Sequence, residues 1–248
     1  LVFRNVLGTI AFLTILPVGR SSQNFEIENI SKNMFWFPII GLLIGFLTLP
    51  VIVASTYFFN QYIAGFIITI FLLVITGIHH TDALADFVDG IMVKGNKEKK
   101  YKVMHEPTIG SAGAVAISGY LLGMTLAIAS ITSIDRLIIA IIISEIVAKY
   151  SMVLQAAYSN SAWEGYSSQF TKNMKPKKKI AIATAVTIFL IILISYSNLI
   201  VGFQILILGI ICCFIIIYIS NRNFGGTSGD VMGATNEIVR LVSLISVT

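Results

Sequence analysis

The sequence predicts an all-α, polytopic membrane bundle: about seven transmembrane helices, an acidic helix on the cytoplasmic side and a short C-terminal helix. Three observations lead there. Charged residues are only 12% of the 248 and hydrophobic ones 56%, with a mean hydropathy of +0.88, far from the roughly 25% charge of a soluble domain. Apolar runs of about twenty residues, each enough for one crossing of the hydrocarbon layer, recur between short polar joints. Lysine and arginine gather in alternate joints, as they do in a chain that crosses back and forth with its basic loops inside. Residues 1–248 read as a single integral-membrane domain.

The formal net charge of +5 does not point to nucleic acid, because the basic residues stand beside apolar spans, where they mark cytoplasmic loops and contact with anionic lipid or phosphates. Cys212 and Cys213 are adjacent and inside an apolar run, so they build neither a disulfide framework nor a zinc site. The Leu1 to Val18 stretch has the length of a signal peptide, but no small-residue cleavage site follows it and Arg20 comes after the run, so it is read as part of the mature protein.

In order, the first span runs from about Phe3 to Val18 and ends at Pro17-Val18-Gly19-Arg20. A polar loop, Ser21 to Lys32, precedes span two, Met34 to Phe59, whose Pro38 and Pro50 predict a kink or flanking turns. Span three, Tyr62 to Ile78, delivers the chain directly into the acidic helix. After a basic loop, Lys94 to Lys102, come span four, Ile109 to Ile131, and span five, Leu137 to Ala157, in which Glu145 and Lys149 are spaced to pair. The Tyr158 to Lys179 segment reads as a long polar loop with aromatics, suited to a lid or contact surface. Spans six and seven, Ile180 to Ile200 and Phe203 to Ile219, lead to a glycine-rich stretch and a last helix, Gly233 to Val247. Its Glu237 and Arg240 need protein partners, so it is re-entrant or packed on the bundle.

Chemistry concentrates at Ile78-His79-His80-Thr81-Asp82-Ala83-Leu84-Ala85-Asp86-Phe87-Val88-Asp89-Gly90. Spacings of four and three put Asp82, Asp86 and Asp89 on one helix face, while Leu84, Phe87, Val88 and Ile91 form an apolar side to bury. Stacked like charges repel, so a cation must offset them or some must be protonated, and a hard ion such as Mg²⁺ with a phosphate-bearing substrate suits an all-oxygen site. A solvated acidic helix end is the plain alternative. Gly110 and Gly113 leave backbone amides at a helix N-terminus, which favours an anion or else close helix packing.

With alternating spans, Arg20, Lys32, the Lys94 to Lys102 cluster, the Lys172 to Lys179 cluster and Arg222 share one side, whereas the opposite turns hold only Arg136. The first side is therefore cytoplasmic, and the aspartate helix, the Gly110 helix start and the Asp230 loop all emerge there. His79, His80 and His105 fall in the same region, His79 rather than His80 on the acidic face.

His80-x-Asp82-x3-Asp86-x2-Asp89-Gly90, the Met104 to Gly113 segment and Gly225-Gly226-x2-Gly229-Asp230-x2-Gly233-Ala234-x2-Glu237 together resemble cobalamin synthase, the adenosylcobinamide-GDP ribazoletransferase family. Phe12-Leu13-Thr14-x2-Pro17-Val18 and Phe37-Pro38-x2-Gly41-x3-Gly45 look like that family too, although Ala83 stands where it usually has glycine and His105-Glu106 where it typically has Lys-Asp. The resemblance implies a multi-pass cell-membrane enzyme, Mg²⁺-dependent, with its active site facing the cytoplasm. It would join α-ribazole, or its 5′-phosphate, to adenosylcobinamide-GDP and release GMP. On that reading Asp82, Asp86 and Asp89 are the metal ligands and Asp230 is a fourth ligand or general base. His80, Lys94, Gly110, Gly113, Gly225, Gly226 and Gly229 then contact substrate or phosphate.

Two rival readings remain. Asp86-x2-Asp89-Gly90-x2-Val93-Lys94 echoes the start of the CDP-alcohol phosphotransferase motif, without its later Gly-x3-Asp-x3-Asp part. A cation-coupled transporter would line its path with the same carboxylates, but no inverted repeat is visible.

Overall fold

The structure, a computed structural model, describes residues 2–18 and 27–248. The described residues form α1 (Val2–Leu13), α2 (Ile27–Lys32), a 3₁₀ turn (Met34–Trp36), α3 (Phe37–Phe58), α4 (Gln61–Ile75), α5 (His79–Met92) and α6 (Lys97–Met104). After these come α7 (Ser111–Ser130), α8 (Ile134–Tyr158), α9 (Tyr166–Met174), α10 (Lys177–Ile194), α11 (Leu199–Phe224) and α12 (Gly229–Ile245). Among the described residues there is no strand, only an isolated bridge between Ser161 and Thr227. The described residues are all-helical in class, as composition and apolar runs predict.

Four helical stretches are long and apolar enough to cross a membrane: Met34–Phe58, Ser111–Ser130, Ile134–Tyr158 and Leu199–Phe224. A fifth results if α4 and α5 count as one broken span, bent by 92°. Outward-facing apolar side chains such as Phe46, Phe66, Val115, Phe189 and Ile211 are exposed, as expected of faces that meet lipid. Inward, α8 is the axis, with α3, α10, α11 and α12 packed around it. Gly41 and Gly45 let α3 lie against α8, since a Cβ on Gly45 would stand 2.8 Å from Ile142 Cα.

Local chemistry explains where the elements differ from expectation. The first helix stops at Leu13 and not at Val18, because Pro17 has no N–H to continue the ladder and pushes Leu16 out of helical geometry. Of the predicted Ser21 to Lys32 loop, residues 27–32 are helical, and Arg20 lies outside the described residues. Span two is one continuous helix that runs through Pro50 and carries Pro38 in its first turn. The predicted polar loop 158–179 contains α9, whose Phe170 and Met174 are buried.

The last helix is packed on the bundle: α12 docks on α5, α8 and α11. The two expected intrahelical pairs form there. Lys149 Nζ lies 3.5 Å from Glu145, and Arg240 Nη1 lies 2.7 Å from Glu237. A third link, 2.5 Å from Arg240 Nε to Glu145 Oε1, ties α12 to α8 and was invisible in sequence spacing. Lys149 also donates to Asn236 Oδ1 at 2.7 Å, and Arg240 Nη1 donates to the Tyr120 hydroxyl at 3.0 Å. Two acids and two bases, all fully buried, thus neutralise one another in the interior.

Candidate active site

The acidic helix does not continue the span before it. Gly77 and Ile78 both take positive φ, 75° and 65°, and together turn the chain so that α5 leaves the end of α4 sideways. Glycine adopts this conformation freely, but a β-branched isoleucine does so only under strain, a feature that concentrates at functional sites. The turn lays α5 across α7 and α12, with Leu84, Ala85 and Phe87 buried beneath it. Ala83 and Gly233 mark the crossing: a Cβ on Gly233 would lie 2.6 Å from that of Ala83, so only a pair of small residues fits.

This crossing brings Asp230, in the first turn of α12, to the acidic face of α5. Asp82 is exposed, while Asp86, Asp89 and Asp230 are partly buried. Burial, then the charges of Asp82 and Asp230 and finally that of Asp89, push the Asp86 carboxyl up to about 7, against a smaller opposing pull from His105. Burial likewise raises Asp230, opposed by His105 and reinforced by Asp82. Among the described residues no lysine or arginine comes within ion-pair distance of these four carboxylates. No group of three or more His, Cys, Asp or Glu side chains among them closes into a ready-made metal cage either.

Asp89 has a partner of another kind. Its Oδ2 accepts from the Gly110 amide at 2.8 Å and its Oδ1 from the Gly113 amide at 2.9 Å, so α5 caps the N-terminus of α7. The anion that the Gly110 and Gly113 amides attract is therefore Asp89, and the two glycines also permit the close packing that the spacing allowed. A Cβ on Gly113 would stand 3.0 Å from Ala85 Cβ and run into Asp89.

The other expected substrate contacts divide. His80 begins α5 with its Nδ1 buried 3.8 Å from Glu237 Oε1, at the edge of the interior ion network. Lys94 stands exposed between α5 and α6. Gly225 terminates α11 with φ 83°, its amide bonded to Asn221, and Gly226 is buried against the 160–162 backbone. Gly229 opens α12 on the exposed side, next to Asp230.

Four residues not selected as site contacts from sequence also belong here. The Lys97 side chain reaches over Gly225 from a segment remote in sequence, which no local pattern reveals. His105 stacks on Tyr101 at 4.1 Å, and Trp163 meets Tyr101 edge-on at 4.8 Å. The i, i+4 spacing of Tyr101 and His105 was the available signal for that stack. Lys100, by contrast, is structural: its Nζ donates to Ile91 O and to Asn223 Oδ1, joining α6 to α5 and α11.

Beside Asp230 a cavity of about 500 Å³ opens between α1, α3, α5, α8, α9 and α12. Phe12, Met34, Phe37 and Phe170 line one part of it, and His80 and Asp230 another.

Residues 5–248 match the family model described as "Cobalamin-5-phosphate synthase". A relative from Methanocella arvoryzae is 32% identical over 96% of this chain and 92% of its own length, and one from Clostridium tetani is 32% identical over 97% and 94%. A third, from Methanococcoides burtonii, is 30% identical over 97% and 90%; all three are named adenosylcobinamide-GDP ribazoletransferase. No solved structure matches the chain. With the ordered motifs, the acidic helix and the Asp230 turn all inside the matched region, the chain belongs to the cobalamin-5-phosphate synthase family.

Proposed function

We propose that this chain is an adenosylcobinamide-GDP ribazoletransferase, a membrane enzyme that joins α-ribazole or its 5′-phosphate to adenosylcobinamide phosphate and releases GMP. The observation that carries the reading is a set of four aspartates, from α5 and α12, with no basic partner of their own among the described residues. Such a surplus of negative oxygen donors has a use where a cation and a diphosphate meet.

The donors fit Mg²⁺. They are all oxygen, burial together with their excess charge pushes Asp86 up to about 7, and Mg²⁺ typically takes one or two carboxylates plus substrate phosphates rather than a closed protein cage. Asp82 and Asp86 would hold the ion, with Asp230 as a further ligand or as the base and Asp89 completing the acidic face while it fixes α7. When bound, the ion would neutralise charge on the diphosphate and on the departing GMP.

In the reaction, a ribazole hydroxyl oxygen bonds to the phosphorus on the aminopropanol side of the diphosphate. The bond from that phosphorus to the bridging oxygen breaks, and GMP leaves with the electron pair. Asp230, raised by burial, accepts the hydroxyl proton. Lys94 and Lys97, exposed on the basic connection that follows α5, and the Gly229 backbone beside Asp230 would contact phosphate oxygens, and His80 would orient the α5 end of the site.

The chain acts as one transferase domain in the cell membrane. Seven crossings would need α10 and the shorter α1 and α4, extended by their flanking residues, beside α3, α7, α8 and α11; α5 then lies on the cytoplasmic side and the active site faces the cytoplasm, which the lysine-rich connections support. Membranes carrying the protein, incubated with nucleotide-activated substrates, should release GMP from adenosylcobinamide-GDP when α-ribazole is present. Release of CMP from a CDP-alcohol would favour the phosphotransferase rival, and release of neither would favour a transporter.

A further inference from the structure

We infer that the cavity beside Asp230 seats the flat aromatic base of the acceptor nucleoside, its hydroxyl end turned toward Asp230. The inference rests on the transferase reading and adds which substrate occupies which place.

Size separates the two substrates first. A cavity of about 500 Å³ lies within the usual range for small-molecule sites, roughly 300–1,000 Å³, and suits a nucleoside. A corrinoid that carries an adenosyl group and a guanosine diphosphate is far too large for it, so the donor must reach the aspartates from outside.

The walls then separate two kinds of base. Phe12 and Phe170 stack with centroids 5.6 Å apart, and Phe37 stands 6.4 Å from Phe12 and 6.3 Å from Phe170. Methionine thioethers from Met34, Met152 and Met232 line the same space. Phenyl faces and polarisable sulfur suit a planar, methylated, hydrogen-bond-poor ring such as the dimethylbenzimidazole of α-ribazole. Guanine set among the phenyl rings would leave its amide edge unpaired there, because the polar side chains that line the cavity, His79, His80, Tyr166, Ser167 and Asp230, are the ones left for the ribose hydroxyls.

Placement completes the fit. Asp230 belongs both to this cavity and to the acidic face of α5, so a ligand with its base among the phenylalanines holds its ribose at the carboxylates. Phe12 is the informative position. It is 41% exposed, whereas Phe37 and Phe170 are 0% and 4%, so its ring contributes less to the fold than to whatever fills the cavity.

The test uses the full chain in lipid nanodiscs, with α-ribazole and adenosylcobinamide-GDP each varied at saturating partner. Phe12→Ala should raise KM for α-ribazole by about tenfold, as loss of one aromatic contact predicts, with the donor KM within about twofold of wild type. Phe12→Tyr should restore the acceptor KM. Free 5,6-dimethylbenzimidazole should compete with α-ribazole and not with the donor, and should bind Phe12→Ala more weakly in equilibrium dialysis. A rise confined to the donor KM, no change in either KM, or free base that binds both proteins equally would overturn the assignment; the last two are what a cavity filled by lipid chains would give. A wild-type protein that binds the base in a Phe12-dependent way yet releases no GMP would overturn the transferase reading while leaving the aromatic site standing.

Discussion

Two clusters of four charged side chains lie about two turns apart on α12, and they are built on opposite plans. Inside the bundle, Glu145, Lys149, Glu237 and Arg240 pair two acids with two bases at 2.5 to 3.5 Å, with no exposed surface. At the end of the bundle, Asp82, Asp86, Asp89 and Asp230 are four acids, and among the described residues their nearest compensation is the backbone of α7 and the ring of His105. The first cluster is complete as it stands, and removing one member strands a charge in a medium that cannot solvate it. The second lacks counter-charge: on the proposed reading, removing Asp82, Asp86 or Asp230 should relieve repulsion and cost function, whereas removing Asp89 also uncaps α7. Neutrality marks a structural role here, and uncompensated charge marks the working end.

The sharpest way to break the comparison is Arg240→Met. It leaves Glu145 and Glu237 facing each other in the interior, and breaking a buried pair this way costs about 3–5 kcal/mol. The variant should be recovered poorly from membranes or lose its thermal midpoint by many degrees, as a detergent-solubilised melting assay would read. Asp86→Asn should do the reverse, keeping the midpoint while GMP release falls by at least about a hundredfold, the scale expected for loss of a key electrostatic group. A stable, fully active Asp86→Asn would remove the distinction altogether.

A pH series sharpens it. Asp86 rises from the ordinary carboxylate value of 3.8 to about 7 in the fold, so the folded state holds its proton more tightly than the unfolded chain does. Its contribution is therefore fully present below pH 3.8 and is lost as pH climbs through about 7. In chelator, wild-type stability should decline across that window, and Asp86→Asn should flatten the decline. Added Mg²⁺ should restore stability near pH 7 in wild type only.

Smaller effects follow from the supports of the site. Gly113→Ala would drive a Cβ into Asp89 and to 3.0 Å from Ala85, displacing the cap on α7. A loss of about 1 kcal/mol, typical of a broken cap, and a several-fold drop in rate are expected from denaturation and turnover assays. Ile78→Gly should do least, since it relieves a positive φ at an exposed side chain. Its midpoint should hold or rise slightly, and a marked fall would show that the bend is not strained.

Much of this was legible in the chain because it depends on local periodicity. Apolar runs marked the bundle, and spacings of four and three put Asp82, Asp86 and Asp89 on one helix, as α5 shows. The Glu145/Lys149 and Glu237/Arg240 pairs were readable for the same reason. What stayed hidden depends on tertiary approach. Asp89 meets amides 21 and 24 residues away, and Arg240 meets a glutamate 95 residues away, distances at which spacing carries no signal. The bend before α5 falls on an isoleucine, a residue that ordinarily argues against a left-handed turn. α9 was masked by its polar surface, and only Phe170 and Met174, with α2 and α8 to cover them, make it an ordered element. The cavity draws on six separate helices, so no stretch of sequence announces it.

The central claim is that the uncompensated aspartates gather a divalent cation at the working end of the bundle. Mn²⁺ bound to the purified chain in nanodiscs, counted by electron paramagnetic resonance at pH 7.5, tests it most directly. Wild type should bind Mn²⁺ more tightly when adenosylcobinamide-GDP is added, and Asp82→Asn and Asp86→Asn should each abolish the bound signal at an unchanged melting midpoint. Equal Mn²⁺ binding by wild type and both variants, with and without the diphosphate, would contradict the account.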